Sequence, residues 1–177
     1  TKAVTVMSLE DSRAFAKEHF EFISDSKFVD RYKPQESGDP VAKSRWCCVG
    51  WQDPHIHEIE RSSPTPLSIS IYSACQVAAS RRWRAHTSDV KTAFLQYRKT
   101  TRQQKLACRQ PRDESWPGLH SEQLLLLETE VYGLVSGPAW WRKSALHTMV
   151  NEFRYRVNSY DKCVLTLDSE RNKPGDL

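Results

Sequence analysis

Apolar positions along the chain fall into short runs separated by turn residues, and their spacing switches between helical and strand-like. Ser8-Leu9-Glu10-Asp11 reads as a helix start, with a hydroxyl able to accept from free N–H groups and two acids at the positive end of the dipole. The pattern predicts a helix from there to about Ser24, offering Phe15, Phe20, Phe22 and Ile23 as its apolar side. Residues 34–40, ending in Gly38-Asp39-Pro40, predict a hairpin tip or an element boundary. Val41 to Trp51, rich in Val, Cys and Trp, predicts a strand. Leu67 to Arg82 carries Ile69, Ala74, Val77 and Ala78 at near-helical intervals and predicts a second helix. Asp89 to Leu95 is strand-like, a buried strand is expected at Leu124–Leu127, and Pro117-Gly118-Leu119 is a turn. A third helix is expected from about Pro138 to Glu152, burying Trp141, Leu146 and Val150. Pro138 suits its first turn, where an N–H would lack a partner anyway.

With 177 residues, 38% hydrophobic and 27% charged, the chain is long enough for one domain with a core or for a piece of a larger one. A mean hydropathy of -0.66 places it at the polar end of globular proteins. The net charge of +4 permits a polyanionic partner without requiring one. The five cysteines are odd in number and lack Cys-x-x-Cys spacing, which argues against a disulfide framework or a zinc ribbon and for a reduced, intracellular setting, cytoplasmic or nuclear. No apolar stretch approaches the roughly 18 residues of a membrane span, and no signal-peptide pattern is present, so no membrane partner is expected. The start at Thr1-Lys2-Ala3-Val4, without Met, reads as a chain cut out of something longer.

Candidate chemistry centres on Asp89-Val90-Lys91-Thr92-Ala93-Phe94-Leu95. A carboxylate at a strand end can hold Mg²⁺, a hard cation that takes oxygen ligands and phosphates. Ala93 is small enough for backbone N–H groups to approach a triphosphate, and Phe94 can form a floor beneath a nucleotide sugar. The run resembles the first carboxylate motif of reverse transcriptases, in the wording usual for the Ty1/copia retrotransposon type. The resemblance implies that Asp89 is the catalytic, metal-binding residue and that Phe94 excludes a ribose 2′-hydroxyl.

Further stretches carry the same resemblance. Lys43-Ser44-Arg45-Trp46-Cys47-Cys48-Val49-Gly50-Trp51-Gln52 is similar to the family's basic fingers strand, where Arg45 matches the arginine that points at the incoming triphosphate. The family's second basic residue is missing near Cys48 or Val49. Ser63-Pro64-Thr65-Pro66 resembles the turn before the family's long helix, and Leu106-Ala107-Cys108-Arg109-Gln110-Pro111 its strand ending in Gln-Pro. Tyr132-Gly133-Leu134 with Pro138 and Trp141 resembles the Tyr-Gly-Leu-x-x-x-Pro-x-x-Trp signature, with Ala139 where an arginine is common. Ser159 to Leu165 resembles its Asp-x-Cys-Leu strand start. The resemblance assigns nucleotide binding to Arg45, Thr92, Ala93, Phe94, Tyr132 and Gly133, and places Lys43, Arg98, Lys99 and Arg102 against a nucleic-acid backbone.

The implied fold is α+β: the fingers and partial palm of a right-hand polymerase, an antiparallel sheet packed with helices, over 41–177, after an N-terminal helix and linker over 1–40. The implied activity is two-metal RNA-directed DNA polymerisation with Mg²⁺, dNTP, an RNA template and a DNA primer. The family's Tyr-x-Asp-Asp does not occur in the 177 residues, and Ser169 to Asp176 reads as a turn before a strand opening at Leu177. Asp161 and Asp168 are not equivalent to adjacent carboxylates at a tight turn, so the chain alone is expected not to polymerise. A second reading is a catalytically dead nucleic-acid-binding or structural remnant, binding through Arg45, Arg81, Arg82, Arg84 and the 98–102 loop. A third is a metal-dependent hydrolase using Asp53, His55 and His57, two of them at strand spacing. Gly133-Leu134-Val135-Ser136-Gly137 has the wrong spacing for a nucleophile elbow.

Overall fold

The computed structural model describes residues 3–35, 38–95, 100, 102–112 and 116–167. The elements in chain order are β1 (Val4–Val6), α1 (Leu9–Glu18), β2 (Ile23–Ser24), β3 (Ser26–Lys33), β4 (Val41–Cys48), α2 (Ser68–Ser80), β5 (Ala107–Cys108), β6 (Leu125–Leu127), α3 (Gly137–His147), β7 (Arg156–Val157) and β8 (Leu165–Thr166). They form two compact units, one of residues 1–61 and 92–140, the other of 62–91 and 141–177. The expected boundary at residue 40 falls in the turn of the β3–β4 hairpin, whose strands pair from Ser26↔Cys48 to Lys33↔Val41.

The first unit is built on a four-stranded sheet in the order β1-β6-β5-β2. The sheet is mixed rather than antiparallel as expected, because β2 and β5 run parallel while β1–β6 and β5–β6 are antiparallel. A parallel pair needs a long crossover, and the more than eighty residues between Ile23 and Ala107 supply one. Side-chain alternation then makes the sheet two-faced. Leu106, Cys108, Leu125 and Leu127 point to one side with Cys48, Val131 and Leu134. Ile23, Ala107 and Leu124 point to the other, where Met7, Phe15 and Leu126 pack. The leucine run therefore serves both faces at once.

Helix α1 begins where its composition predicts: Ser8 Oγ accepts from the Asp11 N–H at 3.0 Å. It ends at Glu18 rather than near Ser24, because His19 leaves helical conformation with φ -136°. Its ring packs on Phe15 and Phe22, with centroids 5.1 and 6.3 Å away. The chain then delivers Ile23 to the sheet edge, burying it, while Phe20 stays exposed. Tertiary pairing overrides the local helical pattern here.

Asp89–Leu95 is not a strand. Residues 83–90 have no regular structure, Thr92 has φ 52°, and Ala93–Leu95 form one 3₁₀ turn closed by Leu95 N–H to Thr92 O at 2.8 Å. A β-branched residue at positive φ is incompatible with continued extension. Gly137–His147 continues into a π-helical turn over Thr148–Glu152, so the third helix spans the expected range, but Val150 is exposed rather than buried.

Helix α2 has no buried residue, and Leu67, at its N-cap, has no side chain able to cap. A carboxylate from the same unit does so instead: Asp161 Oδ2 accepts from the Leu67 N–H at 2.9 Å, and its Oδ1 accepts from the Cys163 N–H at 2.9 Å. The Ser70 hydroxyl, followed by these two backbone N–H groups, holds Asp161 below the usual carboxylate range. A depressed folded value means that the contribution is present above the unfolded value and lost as pH falls through the folded one. The Leu67 and Cys163 amide resonances are therefore expected to titrate together with a midpoint below 3.8. Asp161→Asn should abolish that titration and loosen α2; a midpoint at or above the ordinary carboxylate value would contradict the capping role.

Candidate nucleotide site

The site is assembled in the first unit from β4, the 92–95 turn and the 131–137 loop. On β4, Lys43 and Arg45 share a face and are exposed, while Trp46 and Cys48 point the other way toward the core. The loop is tied to the end of this strand: the Cys48 N–H donates to Tyr132 O at 2.8 Å. Val131 and Leu134 are buried anchors on either side. Between them Gly133 takes φ 94°, and a Cβ there would collide with the carbonyl oxygen of Cys48. A Cβ at Gly50 would in turn collide with the carbonyl oxygen of Gly133. Two glycines thus let two backbones touch, which is what brings Tyr132 beside β4.

Arg45 then lies over Tyr132, its guanidinium carbon 5.6 Å from the ring centroid. Phe94 meets the same ring edge-on, at 5.3 Å and 85°. Leu95 packs on the core and so anchors the turn that presents Phe94. Gly137 lies beside that ring, where even a Cβ would make only an ordinary contact at 3.7 Å. A cation over an aromatic face with a second ring beside it is an arrangement suited to an anionic, planar ligand. Arg45, Phe94, Tyr132 and Gly133, expected together from the resemblance, do come together. Thr92 and Ala93 belong to the same turn, on the backbone side of Phe94.

Arg102 has a different place from the one expected. Its Nη1 pairs with Asp53 Oδ2 at 2.8 Å and its Nε with Glu130 Oε1 at 3.0 Å, with side-chain exposures of 15%, 0% and 5% for the three. Its Nη2 donates to Ser136 Oγ at 2.9 Å, Thr100 Oγ1 donates to Glu130 at 3.2 Å, and the Ser136 hydroxyl donates to the other Glu130 oxygen. Burial works against the Arg102 charge, but the Glu130 hydrogen bond and the charges of Glu130 and Asp53 outweigh it and hold Arg102 above its ordinary value. Its charge is thus neutralised inside the fold, beneath the loop that carries Tyr132. Arg98 and Lys99 lie outside the described residues.

The same network removes Asp53 from the metal-hydrolase reading, since Asp53 is fully buried against Arg102 and its Oδ1 accepts from the His55 N–H at 3.0 Å. The His55 ring pairs with Glu58 at 3.1 Å and packs on Phe22. Among the described residues, no group of three or more His, Cys, Asp or Glu side chains is placed to hold a metal ion. Asp89 belongs to the second unit and is exposed, offering a single carboxylate. Mg²⁺ can use one carboxylate together with substrate phosphates, but a two-metal centre needs more donors than Asp89 supplies.

The second unit shows basic residues that the motifs did not single out. Arg142 and Lys162 line a cleft of about 240 Å³ together with Trp141, and the Arg142 guanidinium donates to Lys162 O at 3.3 Å. Arg81, Arg82 and Arg84, already named as candidates in the second reading, flank an exposed Trp83 along the chain. The cue available in the sequence was the alternation of aromatic and basic residues at these positions. No helix among the described residues is long and apolar enough to cross a membrane. Comparison of the chain with family models, with known proteins and with solved structures gives no match.

Proposed function

We propose that this chain is the fingers and partial palm of a Ty1/copia-type reverse transcriptase, and that alone it binds nucleotide and nucleic acid without polymerising. The observation that supports this reading is the convergence of Arg45, Tyr132 and Phe94, three residues from separate motifs, on one another. In this reading Arg45 meets the triphosphate and Phe94 lies under the sugar. Lys43, on the same face of β4, meets the nucleic-acid backbone, as do Arg98 and Lys99. For Asp89, which belongs to the other unit, the resemblance by itself gives the role of a Mg²⁺ ligand.

Titration calorimetry with dTTP and Mg²⁺ tests it. Arg45→Ala is expected to weaken binding about 10- to 150-fold, the loss of one charge-assisted contact worth roughly 1.5–3 kcal/mol. Binding that Arg45→Ala leaves unchanged, or no binding by the unaltered chain, would sink the reading. Nucleic-acid binding should weaken steeply with salt because phosphate contacts release counterions. Primer extension on an RNA template is expected to yield no product; incorporation abolished by Asp89→Asn would show a complete active site instead.

A further inference from the structure

Cys48 and Cys108 are both buried, at 3% and 0% exposure, in the main core cluster of the first unit. Their sulfurs are 2.7 Å apart, closer than non-bonded thiols ordinarily sit. Cys108 stands opposite Ser24 and Cys48 opposite Ser26, and both side chains enter the same core cluster. The sulfurs need to move by well under 1 Å to reach the bonding distance of about 2.05 Å. Cys47 projects from the opposite face of β4, and Cys75 and Cys163 belong to the second unit.

We propose that Cys48 and Cys108 are an oxidation site, at which a small peroxide converts the two thiols into a disulfide that staples the end of β4 to β5. Hydrogen peroxide oxidises one thiol to a sulfenic acid and releases water. The second sulfur then attacks the sulfenic sulfur, the S–S bond forms, the S–O bond breaks, and a second water leaves. Two thiols and one peroxide thus give one disulfide and two waters, the sulfurs losing the two electrons that peroxide gains. The reacting form is the thiolate. The hydrogen bond that the Cys48 thiol shares with Cys108, together with burial, favours the protonated form and pushes Cys48 well above its ordinary value. Reaction is therefore slow at neutral pH and faster in alkali, and it proceeds through openings of the core.

The disulfide would act where the 131–137 loop rests on β4, since the Cys48 N–H donates to Tyr132 O and the Cys48 carbonyl lies against Gly133. The inference does not depend on what the site binds.

The test uses the full chain, treated with hydrogen peroxide at pH 7 and pH 9, unfolded, alkylated with iodoacetamide and digested. Mass spectrometry is expected to find the Cys48 and Cys108 peptides joined, two hydrogens lighter than their sum, and separated by reductant. Formation should be some tens of times faster at pH 9, where a thiol exposed by opening is largely ionised. Oxidised protein should melt roughly 10 °C higher than reduced protein. Cys108→Ser should lose both effects, and a Cys47→Ser/Cys75→Ser/Cys163→Ser chain should keep them. Cys48 or Cys108 recovered as alkylated thiols, as sulfinic acids, or joined to Cys47, Cys75 or Cys163 would overturn the proposal.

Discussion

Gly133→Ala is expected to cost about 3–5 kcal/mol of stability, at the upper end of what single substitutions do. Two effects add. Alanine at φ 94° is strained in any surroundings, by about 1–2 kcal/mol. The new Cβ also meets the carbonyl oxygen of Cys48, a backbone atom that no side-chain rotation can move. Cys48 is held by pairing with Ser26 and by its bond to Tyr132 O, so relief requires lifting the loop and with it Val131 and Leu134. Gly118 separates the two effects, because its φ is 82° but nothing lies within 4 Å of a Cβ there. Urea unfolding of Gly133→Ala and Gly118→Ala, followed by circular dichroism, should show the first losing clearly more than the second. Equal losses would mean that the close approach of the two backbones does not exist.

Arg102→Met is the second large effect, also about 3–5 kcal/mol, because it leaves Asp53 and Glu130 buried without a counter-charge. The figure concerns the broken pair; replacing the whole network by apolar residues is a different and often neutral change. Arg102→Met combined with Asp53→Asn and Glu130→Gln should therefore recover much of the loss. Arg45→Met, on the exposed side of the same unit, should cost under about 1 kcal/mol. Chemical unfolding of the three variants decides the matter: if Arg102→Met is as mild as Arg45→Met, the charge is not buried. An Arg102→Met effect on nucleotide affinity that disappears in the triple variant would mark the residue as one that positions the Tyr132 loop.

Much of the fold was legible in local patterns. The Ser8 cap, the β4 strand, the Leu67–Arg82 helix, the Leu124–Leu127 strand and the helix opening near Pro138 each have a sequence signal within a few residues, although the two strands and the start of α2 are held by distant partners. The candidate site was legible only as parts. Arg45, Phe94 and Tyr132 could be named, but their meeting depends on a glycine pair, Gly50 and Gly133, that no motif connected. The Asp89 run misled as to conformation: its apolar residues suggested a strand, whereas Thr92 takes a positive φ and a 3₁₀ turn follows.

What the sequence determined by itself was the alphabet of elements, the mild positive charge and the residues with chemistry to offer, because helix caps, side-chain periods and turn residues act over three or four positions. Tertiary structure alone decided which of those residues face each other. Arg102 reads as one more cation in a basic loop, yet it meets Glu130 across 28 positions and leaves the solvent. Asp161 caps a helix that begins 94 positions earlier, and Cys48 finds Cys108 across 60. The physical reason is the same in each case: a charge, a cap or a thiol is defined by its partner and its dielectric surroundings, and both are set by strand register and backbone approach between stretches distant in the chain.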